Sequence, residues 1–263
     1  MLLETTTIQK IIREISADLE TPISVYMKLR GAMAPSFLLE SVEGGERIAR
    51  YSFIGVKPKA QYILRGNEIQ IIESESTRLV SLDEGVDPTY FLQEEMLRFK
   101  HTLQPGMPRF VGGLVGYLGY ESVRYFEPTL IPQMNADQRE SAEIPDGMYL
   151  LADTVVAFDH ARRSLSLIAN VLDGDEDSAN RKLDEIQTRI HAALPSSEGQ
   201  KTTPSATNSN MAQEKFEAMV RQAKDYIAAG DIYQVVLSQR FSRETSAEAF
   251  DVYRAVRRLN PSP

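Results

Sequence analysis

The residues best suited to chemistry lie in one stretch, residues 35–55, which reads PSFLLESVEGGERIARYSFIG. Glu40 and Ser41 follow an apolar run, and Arg47 and Arg50 come soon after them. A carboxylate suits an ammonium group, an arginine suits a carboxylate, and a hydroxyl can serve either one. The stretch therefore has the side chains to bind a small zwitterion such as an amino acid.

Two short strands must position these side chains. Apolar residues 37–39 and 51–54 lie on either side of Gly44-Gly45, and two β-like segments joined by such a turn predict an antiparallel hairpin. The polar side chains would then meet at the mouth of the hairpin. An ordinary hairpin whose charges lie in water fits the same spacing, so both interpretations stay open.

The glycine-rich segment at residues 110–127, FVGGLVGYLGYESVRYFE, has the wrong spacing for a nucleotide site. A phosphate-binding loop needs a lysine and a hydroxyl residue directly after its last glycine, and a tyrosine stands there instead. Dinucleotide-binding proteins use G-x-G-x-x-G, which is also absent. Glycines spaced in this way in a strand allow close approach of another backbone, and we predict that role for them.

Two further patterns also favour structural roles. Residues 173–177 begin like a calcium loop, but Ser178 stands where the loop needs glycine and Asp184 where it needs glutamate. Acidic residues at a helix start interact favourably with its dipole, so we predict a helix there and no metal site. His160 follows Asp159 without a nucleophile nearby in sequence, which favours a turn histidine.

The composition restricts the class of protein. The 263 residues include 29 Lys plus Arg and 37 Asp plus Glu, which gives a net charge of −8, and no cysteine. An excess of acid without a basic cluster argues against a nucleic-acid partner. No apolar run approaches the roughly 20 residues that cross a membrane, and the N-terminus does not resemble a signal peptide. We therefore expect a cytoplasmic protein with no membrane partner.

Hydrophobic periodicity predicts an α+β fold with large antiparallel sheets. The predicted strands are a second hairpin around Gly66-Asn67, antiparallel with the first, two apolar strands at 149–158 and 164–171, and a mostly buried strand at 230–242. The predicted helices are 8–19, 22–29, 88–99, 179–194, a helix closed by Gly230, and 245–259. Residues 195–210 are polar and rich in Ser and Thr, which predicts a linker between residues 1–194 and 211–263.

Four segments resemble the anthranilate synthase component I family of chorismate-utilising enzymes. They are LLESVEGGERIARYSFIG, GGLVGYLGYESVRYFE, GDIYQVVLSQRF and the terminal NPSP. The third segment also resembles the first strand of the chorismate-binding domain that anthranilate, aminodeoxychorismate, isochorismate and salicylate synthases share. The resemblance implies two large antiparallel sheets packed face to face with helices outside, to which both halves of the chain contribute.

The resemblance also implies an activity and a regulator. Family members convert chorismate and ammonia to anthranilate and pyruvate, with Mg²⁺, and a glutamine amidotransferase subunit (component II) supplies the ammonia. The Mg²⁺ ligands and acid–base residues of the family lie beyond the position that matches Pro263, so no catalytic residue is expected in this chain. L-tryptophan inhibits the family by feedback, and the resemblance places Ser41, Pro263 and Glu40 at its binding site.

The chain is expected to be an incomplete N-terminal portion that is inactive alone. Only about 50 residues follow the predicted linker, too few to bury the core that their pattern implies, and the family's NPSPY motif is cut at Pro263. Aminodeoxychorismate synthase component I stays open as an alternative, because residues beyond Pro263 decide the product. A non-catalytic tryptophan-binding regulatory module is a third interpretation, which requires this chain alone to bind tryptophan.

Overall fold

A computed structural model describes residues 8–31, 33–40, 50–83, 85–97, 106–127, 129, 144–172, 174–195 and 205–260. The chain divides into two compact units between Pro195 and Ser196. The predicted domain limits of 1–194, 195–210 and 211–263 stay predictions.

The first unit contains ten strands and four α-helices among its described residues. In chain order these are β1 (Lys10–Ser16), α1 (Pro22–Leu29), β2 (Ser36–Leu39), β3 (Tyr51–Val56), β4 (Ala60–Arg65), β5 (Glu68–Glu73), β6 (Thr77–Ser81), α2 (Pro88–Leu97), β7 (Gly113–Leu118), α3 (Val123–Phe126), β8 (Gly147–Ala152), β9 (Thr154–Asp159), β10 (Ser164–Asn170) and α4 (Glu176–His191). A 3₁₀ turn at Tyr120–Ser122 precedes α3.

The strands form two five-stranded antiparallel sheets, which confirms the predicted α+β class. The first sheet has the order β1-β10-β9-β3-β2, and the second has the order β6-β5-β4-β8-β7. Helices α1 and α4 cover one face of the first sheet, where Leu29, Leu183 and Ile186 are fully buried against its apolar side chains. The second sheet has its own core, to which α2 contributes Leu92.

Helix α1 begins where the sequence predicts. The Thr21 hydroxyl accepts a hydrogen bond from the backbone N–H of Ser24 at 3.1 Å, and the Ser24 hydroxyl accepts one from the Thr21 N–H at 2.8 Å. This reciprocal pair satisfies two N–H groups at the helix start. Pro22 fits because its fixed φ suits the first helical turn.

The glycines of β7 have the structural role that the sequence predicts. A Cβ atom added to Gly116 would lie 2.0 Å from the carbonyl oxygen of Met148 on β8. Only glycine lets the two strands approach so closely without displacing backbone. The segment is therefore a strand in a sheet and not a phosphate-binding loop.

The segment after β7 is anchored to the second sheet by a carboxylate. Asp146 Oδ2 accepts hydrogen bonds from the Gly66 N–H at 2.6 Å and from the Tyr125 hydroxyl at 2.7 Å, and it forms an ion pair with Arg124. Burial raises the pKa of Tyr125 to about 12, so its hydroxyl stays protonated and able to donate. The Arg-Tyr pair thus fixes α3 to the turn between β4 and β5.

The helix predicted at residues 8–19 is wrong, because residues 10–16 form β1. The isoleucines there recur at three- and four-residue steps, but Ile11 and Ile15 also lie on one face of a strand, where they pack against the first core. Every residue of β1 pairs with β10. Isoleucine is β-branched and favours strands, so pairing and propensity together override the helical spacing.

The apolar run at 149–158 is also not one strand. The chain leaves the second sheet after Ala152 and enters the first at Thr154, so Asp153 marks the crossing between β8 and β9. Likewise, the second predicted hairpin is present as β4 and β5, but it belongs to the second sheet while β2 and β3 belong to the first. Periodicity predicts that strands exist, but it does not tell which strands share a sheet.

The second unit contains two helices and a two-stranded ribbon among its described residues. They are β11 (Thr207–Ser209), α5 (Gln213–Ala229), β12 (Phe241–Arg243) and α6 (Ala249–Leu259), with β11 antiparallel to β12. Gly230 ends α5 with φ +83°, as predicted. The mostly buried strand predicted at 230–242 is wrong, since β12 begins only at Phe241 and Tyr233 is 94% exposed. A strand needs neighbours for its backbone groups, and within the described part of the chain the backbone of 231–240 is bonded at its ends, Asp231 to Tyr226 and Arg240 to Asn210.

None of the described helices has the length and apolarity that a membrane crossing requires.

Candidate functional site

Of the three predicted effector contacts, the structure places one. Ser41 and Pro263 lie outside the described residues, as do Arg47 and the Gly44-Gly45 turn. Glu40 is described and directly follows β2. The two strands of the predicted hairpin are confirmed, because β2 pairs antiparallel with β3.

The strand register places Glu40 at the same end of the first sheet as Ser52 and His160. Leu39 pairs with Phe53, so Glu40 comes at the level of Ser52, and Ser52 in turn pairs with Phe158 on β9. The end of β2, the start of β3 and the end of β9 therefore meet at one edge of the first sheet. We call Glu40, Ser52 and His160 the sheet-edge cluster.

His160 lies in a turn, as predicted, but it has a serine partner that the sequence did not reveal. Its Nε2 atom is 2.8 Å from the Ser52 hydroxyl oxygen, across 108 residues of sequence. Its ring also contacts Phe158, with 4.8 Å between the ring centroids. Ser52 is only 1% exposed, so its hydroxyl is a structural partner of the imidazole and is not placed to attack a substrate.

Asp159 is engaged by other groups and does not orient the His160 ring. Its carboxylate accepts a hydrogen bond from Arg50 Nη2 at 2.7 Å and from the backbone N–H groups of Ala161 and Arg162 at 3.0 and 3.1 Å. Burial alone would raise the pKa of Asp159, but these hydrogen bonds, led by Arg50, lower it below its ordinary value. Arg50 and Asp159 therefore form a fixed ion pair at the sheet edge.

The imidazole of His160 experiences opposing influences. Desolvation lowers the pKa of His160, while the negative charges of Glu40 and, less strongly, Asp159 raise it, and the net direction is downwards. A depressed pKa keeps the ring neutral at physiological pH, because the ordinary value is about 6.5. The ring is thus a neutral hydrogen-bonding group that Glu40 can influence by its charge.

A cavity of about 560 Å³ opens beside this edge. Its described lining combines three arginines, two aromatic rings and a methionine: Arg50, Arg109, Arg162, Tyr51, Phe53, Met107 and Gly106. Such a volume is within the range of small-molecule pockets, about 300–1,000 Å³. Arginines next to aromatic rings can bind a ligand that carries both a carboxylate and a ring.

The aromatic wall of this cavity depends on one glycine. Phe53 stacks on Tyr51 with 6.0 Å between ring centroids and contacts Phe110 edge-on at 5.4 Å. A Cβ atom added to Gly55 would lie 2.0 Å from the ring of Phe37 on the neighbouring strand. Gly55 therefore leaves the space in which Phe37 packs beside the other rings.

No group of three or more His, Cys, Asp or Glu side chains is arranged to hold a metal ion in the part of the chain that the structure describes. The acidic residues at the start of α4 serve the helix, because the Asp175 carboxylate accepts a hydrogen bond from the Ser178 N–H at 2.9 Å. The described residues thus do not offer a donor set that fits Mg²⁺.

Comparison with known proteins identifies the class to which this antiparallel α+β fold belongs. The profile of the chorismate binding enzyme family matches residues 34–263. The chain belongs to this family.

Individual relatives show which members of the family this chain resembles. Anthranilate synthase component 1 of Neisseria gonorrhoeae is 39% identical over 259 residues, which cover 96% of this chain and 51% of the relative. The protein of the same name from Pseudomonas aeruginosa is 38% identical over 261 residues, with 95% and 51% coverage. The crystal structure of anthranilate synthase component I from Streptococcus pneumoniae matches with a TM-score of 0.65 and 27% identity, covering 94% of this chain and 53% of that one. The chain spans about half the length of the relatives it matches.

Proposed function

We propose that this chain is the N-terminal portion of an anthranilate synthase component I, which converts chorismate and ammonia to anthranilate and pyruvate in tryptophan synthesis. The observation that carries the proposal is the match of 96% of the chain to a protein of that name. The family profile over residues 34–263 supports it independently of any single relative.

The catalytic chemistry is proposed to lie outside this chain. The reaction of the family uses Mg²⁺ and acid–base groups, and the described residues contain no carboxylate cluster that fits the metal. We therefore assign no catalytic residue here and expect the chain alone to be inactive. A glutamine amidotransferase subunit, component II, is the proposed source of ammonia, and the cytoplasm is the proposed location.

The sheet edge is the proposed binding site for L-tryptophan as a feedback inhibitor. Glu40 is suited to the ammonium group, and Ser41 and Pro263 are the other proposed contacts. The neighbouring cavity is lined by Tyr51 and Phe53, which alternate with Ser52 along β3 and therefore lie on the opposite face of the first sheet from Glu40. A ligand bound at the sheet edge can favour a conformation that binds chorismate poorly, and such coupling is typically about 1–3 kcal/mol.

A hybrid enzyme tests the catalytic proposal. Residues 1–263 are joined to the second half of the Neisseria gonorrhoeae relative, and anthranilate formation from chorismate, ammonium and Mg²⁺ is followed by fluorescence. The hybrid is expected to form anthranilate, while this chain alone and the second half alone are not. A folded hybrid that forms no anthranilate would contradict the proposal.

The same hybrid tests the effector site. Ser41→Ala should raise the tryptophan concentration needed for half-inhibition about 5-fold or more, while turnover without tryptophan is retained. Ser81→Ala, at the exposed end of β6, is the matched control and should leave inhibition unchanged. If Ser41→Ala lowers turnover and inhibition persists, Ser41 does not contact the inhibitor.

A further inference from the structure

The cavity beside β3 has two arginines whose charges are not compensated. Among the residues that the structure describes, the side chains of Arg109 and Arg162 form no ion pair and no hydrogen bond, and both residues are exposed. The third arginine of the lining, Arg50, has its charge compensated by Asp159 at 2.7 Å. Two positive charges therefore remain on the described lining, although the chain as a whole has a net charge of −8.

The wall of the cavity is aromatic and is fixed in place. The guanidinium carbon of Arg50 lies 4.9 Å from the centroid of the Tyr51 ring, and Tyr51 stacks on Phe53. Phe53 and Met107 in turn pack against a buried cluster of the first unit. The rings are therefore held by β3 and by the core behind it, and they face the same space as the three guanidinium groups.

This combination of charge and rings restricts the ligand. A guanidinium group can bind a carboxylate through two parallel hydrogen bonds, and a cleft lined by one sign of charge attracts ions of the opposite sign. A monoanion would compensate one of the two remaining charges, whereas a dianion would compensate both. Aromatic side chains favour a ligand that offers a ring to pack against them.

We propose that this cavity binds a small cyclic dicarboxylate, whose ring packs on Tyr51 and Phe53 and whose carboxylates pair with Arg109 and Arg162. The rings lie on the face of β3 opposite to Glu40, so the inference does not rest on the effector site proposed above. If either site fails its test, the other still stands.

An NMR titration of the 263-residue chain with isophthalate, a benzene ring with two carboxylates, tests the proposal. The methyl groups of the nine methionines are isotope-labelled, and Met107→Leu identifies the Met107 signal. At neutral pH and low salt the Met107 signal should shift and reach saturation. The signal of Met33, which is fully buried in the core under α1 and α4, should stay in place and reports that each variant is folded. A Met107 signal that does not shift would overturn the proposal.

Two simpler ligands separate the charges from the ring. Benzoate keeps the ring with one carboxylate, and glutarate keeps two carboxylates without a ring. Each should bind about 3-fold or more weakly than isophthalate, and isophthalate binding should weaken as salt is added. If glutarate binds as tightly as isophthalate, the aromatic wall does not contribute and a cyclic ligand is ruled out. If benzoate does so, the pairing with two arginines is ruled out.

Arginine variants test which charges bind the ligand. Arg109→Gln and Arg162→Gln should each weaken isophthalate binding about 3-fold or more. Arg78→Gln, at an exposed position of β6 in the second sheet, removes the same charge elsewhere and is the matched control, which should retain the wild-type affinity. The same affinity in all three folded variants would show that Arg109 and Arg162 are only solvated surface charges, and it would overturn the proposal.

Discussion

Replacing Lys28 with methionine should destabilise the first unit by about 2–4 kcal/mol. Lys28 Nζ donates to the carbonyl oxygen of Ile190 at the end of α4 at 2.8 Å and forms an ion pair with Glu20. The two side chains are only 9% and 17% exposed. Removing one partner of a buried pair costs about 3–5 kcal/mol. The cost is smaller here because the Ser24 hydroxyl, 2.6 Å from the Glu20 carboxylate, still donates a hydrogen bond to it.

An exposed ion pair on the same unit provides the matched control. Lys57 and Glu185 are 2.8 Å apart, with side chains 43% and 34% exposed. Exposed pairs contribute about 0–1 kcal/mol, so Lys57→Met should cost far less than Lys28→Met. Urea unfolding monitored by the amide signals of β9 and β10 measures both variants in the same unit.

A double-mutant cycle separates the ion pair from the loss of the lysine stem. Lys28→Met combined with Glu20→Gln should restore part of the stability, because the second change removes the carboxylate left without its cation. The expected coupling is about 1–3 kcal/mol. If the two costs simply add, or if Lys28→Met costs no more than Lys57→Met, the buried-pair argument is refuted.

Two further changes test the packing of the sheets and the ion pair at the sheet edge. Gly116→Ala should lower the free energy of unfolding by about 1–3 kcal/mol or more, because the added methyl group meets the backbone of β8. Gly31→Ala is the control and should change stability little, because no atom lies within 4 Å of the new Cβ. Equal urea midpoints for the two variants would show that β7 can move away from β8. Asp159→Asn should destabilise the first unit at neutral pH, since Arg50 and the backbone N–H groups of Ala161 and Arg162 lose a charged acceptor. The pKa of Asp159 is lowered in the folded state, so the extra stability of the wild type over Asp159→Asn should be complete above about pH 4. This extra stability should be lost as the pH falls through the folded-state pKa. A difference in unfolding free energy that is constant with pH would contradict this.

The sequence predicts local elements well where one short-range cause dominates. Thr21-Pro22 fixes the start of α1, and Gly230 fixes the end of α5, because a cap or a positive φ is a requirement of a single position. The sequence predicts a helix where β1 forms, because isoleucines at 8–15 fit a helix and a strand alike. Only the partner β10, about 150 residues away, decides between them.

Prediction from local sequence has the same limit for the environment of a side chain, as Lys28 shows. Its position at the end of a short helix predicts a solvated lysine, yet the approach of α4 buries it against Glu20. Nothing within residues 20–29 signals that approach. The isoleucine spacing of α4 predicts that one face of α4 is buried. It does not predict that the end of α4 presents a carbonyl group to Lys28.

The sheet-edge cluster depends on the register between β2, β3 and β9. Sequence spacing alone therefore predicts a site role for only one of its members. Glu40 has a local signal because it adjoins an apolar run beside Ser41, whereas nothing in the sequence near His160 or Ser52 indicates that the two are in contact. A shift of one residue in the pairing of β3 with β9 would turn Ser52 to the opposite face and separate it from His160. The buried apolar residues of β3 and β9 hold that register, since Ile54, Val156 and Phe158 all face the same core. The core of the first sheet therefore determines the position of His160, and through it the electrostatic environment of Glu40.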